Sequence, residues 1–186
     1  MGCIMTFNQN LIEKEVSREI VFNGKIFQIA KCKARLCNHD IVDREIMLHS
    51  GGVGILPLDN DGNVLLVQQY RYGAQTFLWE IPAGKLEYGE DPYACAVREL
   101  SEETGCSAEK IQPLGKINPS PAIMSEIIYI YLATGLMSGE RHLDEDEFLD
   151  VAKVPFDKAI EMVFSGEITD AKTQIALLKA KEILKL

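Results

Sequence analysis

Residues 84–106 read GKLEYGEDPYACAVRELSEETGC, and this stretch decides the reading of the whole chain. Its middle predicts a helix with clear ends. Asp91 suits the N-cap, Pro92 suits the first helical position, and Gly105 suits the residue just past the last turn. Tyr93, Ala96, Val97 and Leu100 recur at helical spacing and are expected to form the buried stripe. Glu99, Glu102 and Glu103 stand three and four residues apart, so their carboxylates share one face. Like charges so close repel, and the one basic residue nearby, Arg98, lies beside them rather than a turn away. Such a face is either solvated or neutralised by a divalent cation. Oxygen donors of this kind favour Mg²⁺, Mn²⁺ or Ca²⁺ over zinc, and Mg²⁺ typically grips substrate phosphates.

Working outward, the segment before the helix reads as strands. Glu19–Phe22 is followed by Asn23-Gly24, a two-residue hairpin signal, then by a β-rich run from Lys25 to Leu36. Asn38-His39-Asp40 predicts a second turn and Ile41–Leu48 a third strand. Residues 1–49 are thus expected to form a small N-terminal antiparallel β lobe. It is too small to bury its own apolar face, so packing on the main domain or on a second subunit is expected. Residues 50–186 are assigned to one further domain. It contains strands at Val53–Leu58, Val64–Gln69, Trp79–Pro82, Ile127–Ala133 and Val151–Val154. An acid-rich loop spans Leu136–Leu149, and helices are expected over Pro155–Phe164 and Ala171–Leu184. Strands, helix, strands, helices is an α/β order.

Bulk properties narrow the function classes. The chain has 186 residues, 47% of them hydrophobic and 25% charged, which is ordinary for a folded domain. Its net charge of −9 argues against nucleic-acid or acidic-membrane partners, which need a basic footprint. An anionic substrate would have to be met by recruited cations. Five cysteines (Cys3, Cys32, Cys37, Cys95, Cys106) are odd in number and lack C-x-x-C spacing, so free thiols and a cytoplasmic location are expected. No apolar run is long enough to span a membrane.

The spacing Gly84, Glu90, Arg98-Glu99-Leu100, Glu102-Glu103, Gly105 resembles the Nudix box, the signature of the Nudix hydrolases. Seven fixed residues and one aliphatic agree; at roughly 6% frequency per residue type, chance agreement at one start point is below about 10⁻⁸. Cys106 replaces the usual aliphatic residue, a small change because a buried thiol packs as a small hydrophobe. The resemblance implies an α/β/α sandwich with a mixed sheet. It implies that Glu99 and Glu103 bind metal directly, with Glu102 close by, and that the Ala83 carbonyl is a further ligand. Glu90 would contact the metal-bound water network, and Arg98 would steer the glutamates. The reaction implied is attack of water on a phosphorus of a diphosphate, with Mg²⁺ (or Mn²⁺) as cofactor.

Outside the box, Gln69-Tyr70-Arg71, Trp79-Glu80-Ile81-Pro82-Ala83-Gly84, and Ser120-Pro121 followed by Glu126 look like the ADP-ribose pyrophosphatase branch. Ala122 stands where that branch usually has Gly. By this resemblance Arg71 and Ser120 would meet phosphates or the pocket wall, and Glu126 the terminal ribose. Glu145 and Glu147 match a Glu-x-Glu pair supplying a base and a metal ligand, Glu145 as base and Glu147 as ligand or the reverse. Arg44 and Glu45 would reach the adenine from across an exchanged-lobe homodimer. The expected reaction is ADP-ribose to AMP and ribose 5-phosphate. GDP-mannose or another nucleotide sugar is the alternative, because base choice rests on a few hydrogen bonds. A non-catalytic nucleotide sensor would predict a degraded box or an attached basic module, and this sequence has neither.

Overall fold

The computed structural model describes residues 7–143 and 147–185. These fall into two compact units, Met1–His49 with Ser120–Glu126, and Ser50–Pro119 with Ile127–Leu186. The segment 120–126, expected with the second domain, clusters with the first.

The first unit is an antiparallel sheet of β1 (Lys14–Asn23), β2 (Gln28–Arg35) and β3 (Ile41–Leu48), in that order. The β1–β2 connection is not the two-residue turn expected at Asn23-Gly24. Asn23 still pairs with Gln28, and the Gly24 N–H donates to the Phe27 carbonyl at 3.0 Å, giving a four-residue loop. The β2–β3 turn falls at Asn38-His39-Asp40 as expected, with His39 in the left-handed region (φ 73°) and the Leu36 N–H donating to the Asp40 carbonyl. Segment 120–126 lies along β3: the Met47 N–H donates to the Ile123 carbonyl at 2.7 Å, and the Ser125 N–H to the Met47 carbonyl at 2.9 Å.

The second unit holds a mixed seven-stranded sheet. Its strands are β4 (Gly52–Leu58), β5 (Asn63–Arg71), β6 (Thr76–Glu80), β7 (Ala83–Lys85), β8 (Cys106–Ile117), β9 (Ile128–Ser138) and β10 (Leu149–Pro155). The main path runs β10-β5-β4-β9-β8, with β6 on β5 and β7 on β4. Only β4 and β9 pair in parallel. Strand alternation divides the core into two layers. Leu56, Leu66, Ile130 and Leu132 point to one face, where they meet α2 (Phe156–Ser165) and α3 (Ala171–Leu184). Val53, Ile55, Tyr131 and Ala133 point to the other, against Cys95, Ala96 and Leu100 of α1 (Pro92–Thr104). This is the α/β/α sandwich expected from the resemblance. Strand β8 had no counterpart in the sequence reading, and β9 runs on through Ser138 into what was read as loop. Among the described residues, no helix is long and apolar enough to cross a membrane, and Cys32, Cys37, Cys95 and Cys106 are free thiols. Cys3 lies outside the described residues.

Candidate metal centre

Helix α1 is bounded by the signals its sequence carries. The Asp91 carboxylate accepts the N–H groups of Tyr93 and Ala94, and Gly105 ends the helix at φ 69°. Its orientation differs from the expected one. Tyr93 and Val97 are exposed, and the buried stripe is Cys95, Ala96, Glu99, Leu100 and Glu103. The helix therefore turns two acids toward the sheet beside the expected Ala96 and Leu100, and leaves Tyr93 and Val97 exposed. Glu99 is 8% exposed and Glu103 2%. The solvated-face alternative does not hold for these two.

What receives them is β7. Gly84 presents bare backbone: a Cβ there would overlap the Glu99 carboxyl group. One residue earlier, the Ala83 N–H donates to Glu103 Oε2 at 3.2 Å, so residue 83 lies directly against that carboxylate. Burial pushes Glu103 up to about 9, with the charges of Glu147 and Glu99 adding to it. Burial likewise pushes Glu99 up to about 7, against the opposing pull of the Arg98 cation, while Glu102 and Glu147 add to the rise. Glu147, from the acidic loop, thus bears on the same two acids. Glu145 lies outside the described residues.

Arg98 organises the rest. Its Nε and Nη2 donate to the two oxygens of Glu90 at 3.0 and 3.2 Å, and its Nη1 donates to Glu99 at 2.7 Å and Glu102 at 2.8 Å. The Arg98 guanidinium, helped by the Glu87 N–H, holds Glu90 down at about 2. Arginine fits this task because its planar fork can serve several carboxylates at once.

A second charged group sits on the neighbouring strands. Arg71 of β5 docks on Glu80 of β6 through Nε at 2.6 Å and Nη2 at 2.8 Å. Lys172, at the start of α3, donates to the same Glu80 and to Asp170 at 3.0 Å. Asp170 caps α3 by accepting from the Thr173 N–H and hydroxyl, and that hydroxyl accepts the Ile81 N–H at 2.8 Å. The sequence reading gave a substrate role to Arg71 and none to Glu80, Asp170 or Lys172.

The other sequence-derived contact residues belong to the first unit. Arg44 donates to both oxygens of Glu13 (3.1 and 2.8 Å), and Glu45 is exposed on β3. Both line a groove of about 330 Å³ on the three-stranded sheet, together with Glu19, Lys31, Lys33 and Asp43. Glu126 pairs with His49 Nδ1 at 3.3 Å, and Ser120 is half-buried at the start of its turn.

The donor chemistry fits a hard divalent cation. Two buried carboxylates, a third acid bearing on both, and a glycine that leaves them room form an all-oxygen set with excess negative charge. Among the described residues no three such side chains already stand in metal-holding geometry. Arg98 draws Glu90, Glu99 and Glu102 onto its own guanidinium instead.

Comparison with known proteins places the fold among known families. The chain is 39% identical to the ADP-ribose pyrophosphatase of Bacillus subtilis, over 95% of its own length and 98% of the relative's. It is 39% identical to the methanol dehydrogenase activator of Bacillus methanolicus, over 93% and 96%. It is 35% identical to a GDP-mannose pyrophosphatase of Yersinia pestis, over 75% of each chain. Among solved structures, an ADP compounds hydrolase shares the fold, with a TM-score of 0.81 at 23% identity over 93% of this chain and 94% of that one. The profile described as NUDIX domain matches residues 48–175, which takes in β4–β10, α1, α2 and the start of α3. The chain belongs to the Nudix family.

Proposed function

We propose that this chain is a Mg²⁺-dependent pyrophosphohydrolase that cuts ADP-ribose into AMP and ribose 5-phosphate. The observation that carries the reading is the pair of buried acids, Glu99 and Glu103, packed against Gly84 and Ala83 with Glu147 bearing on both. One arginine shared among Glu90, Glu99 and Glu102 leaves this acidic cluster short of positive charge, a cost that a bound cation would relieve. Nudix hydrolases are generally dependent on divalent metals. Glu99, Glu103, Glu147 and the Ala83 carbonyl would hold the ion. When bound, Mg²⁺ supplies charge neutralisation at the phosphoryl oxygens and a more acidic water.

The chain's own groups do the rest. Arg98 gathers Glu90, Glu99 and Glu102 about its guanidinium, and Glu99 would leave it for a bound ion. Glu145 is the base that takes the proton from the attacking water. Arg71 and Ser120 orient the diphosphate, and Glu126 holds the terminal ribose. Arg44 and Glu45 serve the adenine from the partner subunit of a homodimer. All ten residues of β1 are exposed, Val16, Ile20, Val21 and Phe22 among them, an apolar surface that supports a second subunit as its cover. The relatives support ADP-ribose first and GDP-mannose second.

The test is product identity. Incubation of ADP-ribose with the protein and Mg²⁺ is expected to yield AMP and ribose 5-phosphate in equal amounts. In H₂¹⁸O the label should enter one of the two phosphates. Release of free adenine, or of inorganic phosphate without a coupling phosphatase, would overturn the reading.

A further inference from the structure

Glu80 is 1% exposed, and a carboxylate that deeply buried requires partners. It has two, from different parts of the fold: Arg71 on the neighbouring strand and Lys172 on α3. The two cations differ in what they leave over. Lys172 is committed to the interior, since its side chain is 11% exposed and its ammonium donates to both Glu80 and Asp170. Asp170 is committed as well, as the cap of α3. Arg71 uses one edge of its guanidinium on Glu80. Its remaining N–H groups meet no partner among the described residues, and its side chain is 40% exposed. Its charge also interacts with that of Glu103, so Arg71 stands within electrostatic reach of the carboxylate cluster. Paired with Glu80 alone, Arg71 would be neutralised, and the carboxylate it forks onto would be held from one side only. With Lys172 sharing Glu80, that carboxylate is held from both sides and the charge of Arg71 is only partly offset.

Stability alone is a weak explanation for this arrangement, because buried ion pairs are often replaceable by apolar side chains without loss. We propose that Lys172 is a positioning residue for the substrate diphosphate, acting through Glu80 to hold the open edge of Arg71 toward the phosphates. The inference rests on the reading of Arg71 as a phosphate contact and adds a residue outside the box and its flanking motifs.

The test is a double-mutant cycle on the full-length protein, using the nucleoside-diphosphate sugar that the wild type hydrolyses fastest. Lys172→Met should raise KM about tenfold with kcat nearly unchanged, an effect in the range of couplings between contacting residues. Lys172→Arg should restore most of the loss. In the Arg71→Ala background, Lys172→Met should add nothing. Lys172→Gln serves if the Met variant does not fold. The same cycle is read by calorimetric binding of inorganic pyrophosphate, which needs no turnover. Failure to hydrolyse any diphosphate sugar would therefore sink the proposed function and leave the Lys172 test standing. Two results would overturn the role of Lys172: effects of Lys172→Met and Arg71→Ala that multiply, or a lowered Tm with KM and pyrophosphate affinity intact.

Discussion

Gly84→Ala is the most discriminating single change in this site. Gly84 is not at positive φ, so alanine is tolerated by the backbone. The whole effect is therefore steric, and it has one target. The new Cβ would occupy the space of the Glu99 Cδ and both its oxygens. Glu99 must swing away by about 1 Å or more, and a misplacement of that size in a reacting site costs about 10²-fold, or ~2.7 kcal/mol of barrier. The expected result is kcat/KM about 100-fold down, a higher Mg²⁺ requirement, and a Tm close to wild type, since the displaced carboxyl gains solvent. Gly73→Ala is the control, because that glycine has nothing within 4 Å and no positive φ. The assay is initial-rate hydrolysis across a Mg²⁺ titration, with Tm measured in parallel. A Gly84→Ala enzyme with wild-type kcat/KM and wild-type Mg²⁺ dependence would refute the placement of Glu99 as a metal ligand.

Three further outcomes are expected. Glu103→Gln keeps the shape and can still accept the Ala83 N–H, but an amide is a poor Mg²⁺ ligand; activity should fall more than about 100-fold with the fold retained, and near-normal turnover would contradict the role. In the metal-free protein, Glu99 at about 7 and Glu103 at about 9 bind protons more tightly than at the ordinary 4.5 of the unfolded chain. The native state then holds more protons across that window, so Tm should fall as pH rises from about 4.5 to about 9, while Mg²⁺ should stabilise more at higher pH. The contrary outcome is a chelated protein whose Tm climbs over that range, or one whose slope Glu103→Gln leaves unchanged. Arg44→Ala should weaken substrate binding, and mixed dimers with Glu103→Gln should regain activity that neither parent has; no recovery would remove the exchanged-lobe arrangement.

Local signals carried as far as local physics reaches. The ends of α1 follow from Asp91, Pro92 and Gly105, and α3 begins one residue after Asp170, because caps are short-range chemistry. The facing of α1 was legible in half from apolar spacing: Ala96 and Leu100 are buried as expected, but the helix buries Glu99 and Glu103 in place of Tyr93 and Val97. Burial of charge is the kind of rule-breaking expected at a functional site. Strand β8 escaped notice because Pro113 and Gly115 punctuate it, and the pairing with β9 shifts register between those two residues. Asn23-Gly24 looked like a complete hairpin, yet the strand continues through Asn23 and the loop closes at Phe27. Glu99, Glu102 and Glu103 were readable as a cluster because they lie within one helix. The Arg71–Glu80–Lys172 group was not, because Lys172 meets Glu80 from 92 residues away and no spacing encodes that contact.

The most direct test of the central claim is a kcat/KM comparison in Mg²⁺ across ADP-ribose, GDP-mannose, ADP-glucose, diadenosine polyphosphates and nucleoside triphosphates. Phosphate release is coupled to a phosphatase, and each reaction is repeated with chelator. The account predicts hydrolysis abolished by chelator and a large preference for ADP-ribose. A preference for GDP-mannose would keep the metal site and replace the substrate; no hydrolysis of any compound by folded protein, with Mn²⁺ also supplied, would contradict the account itself.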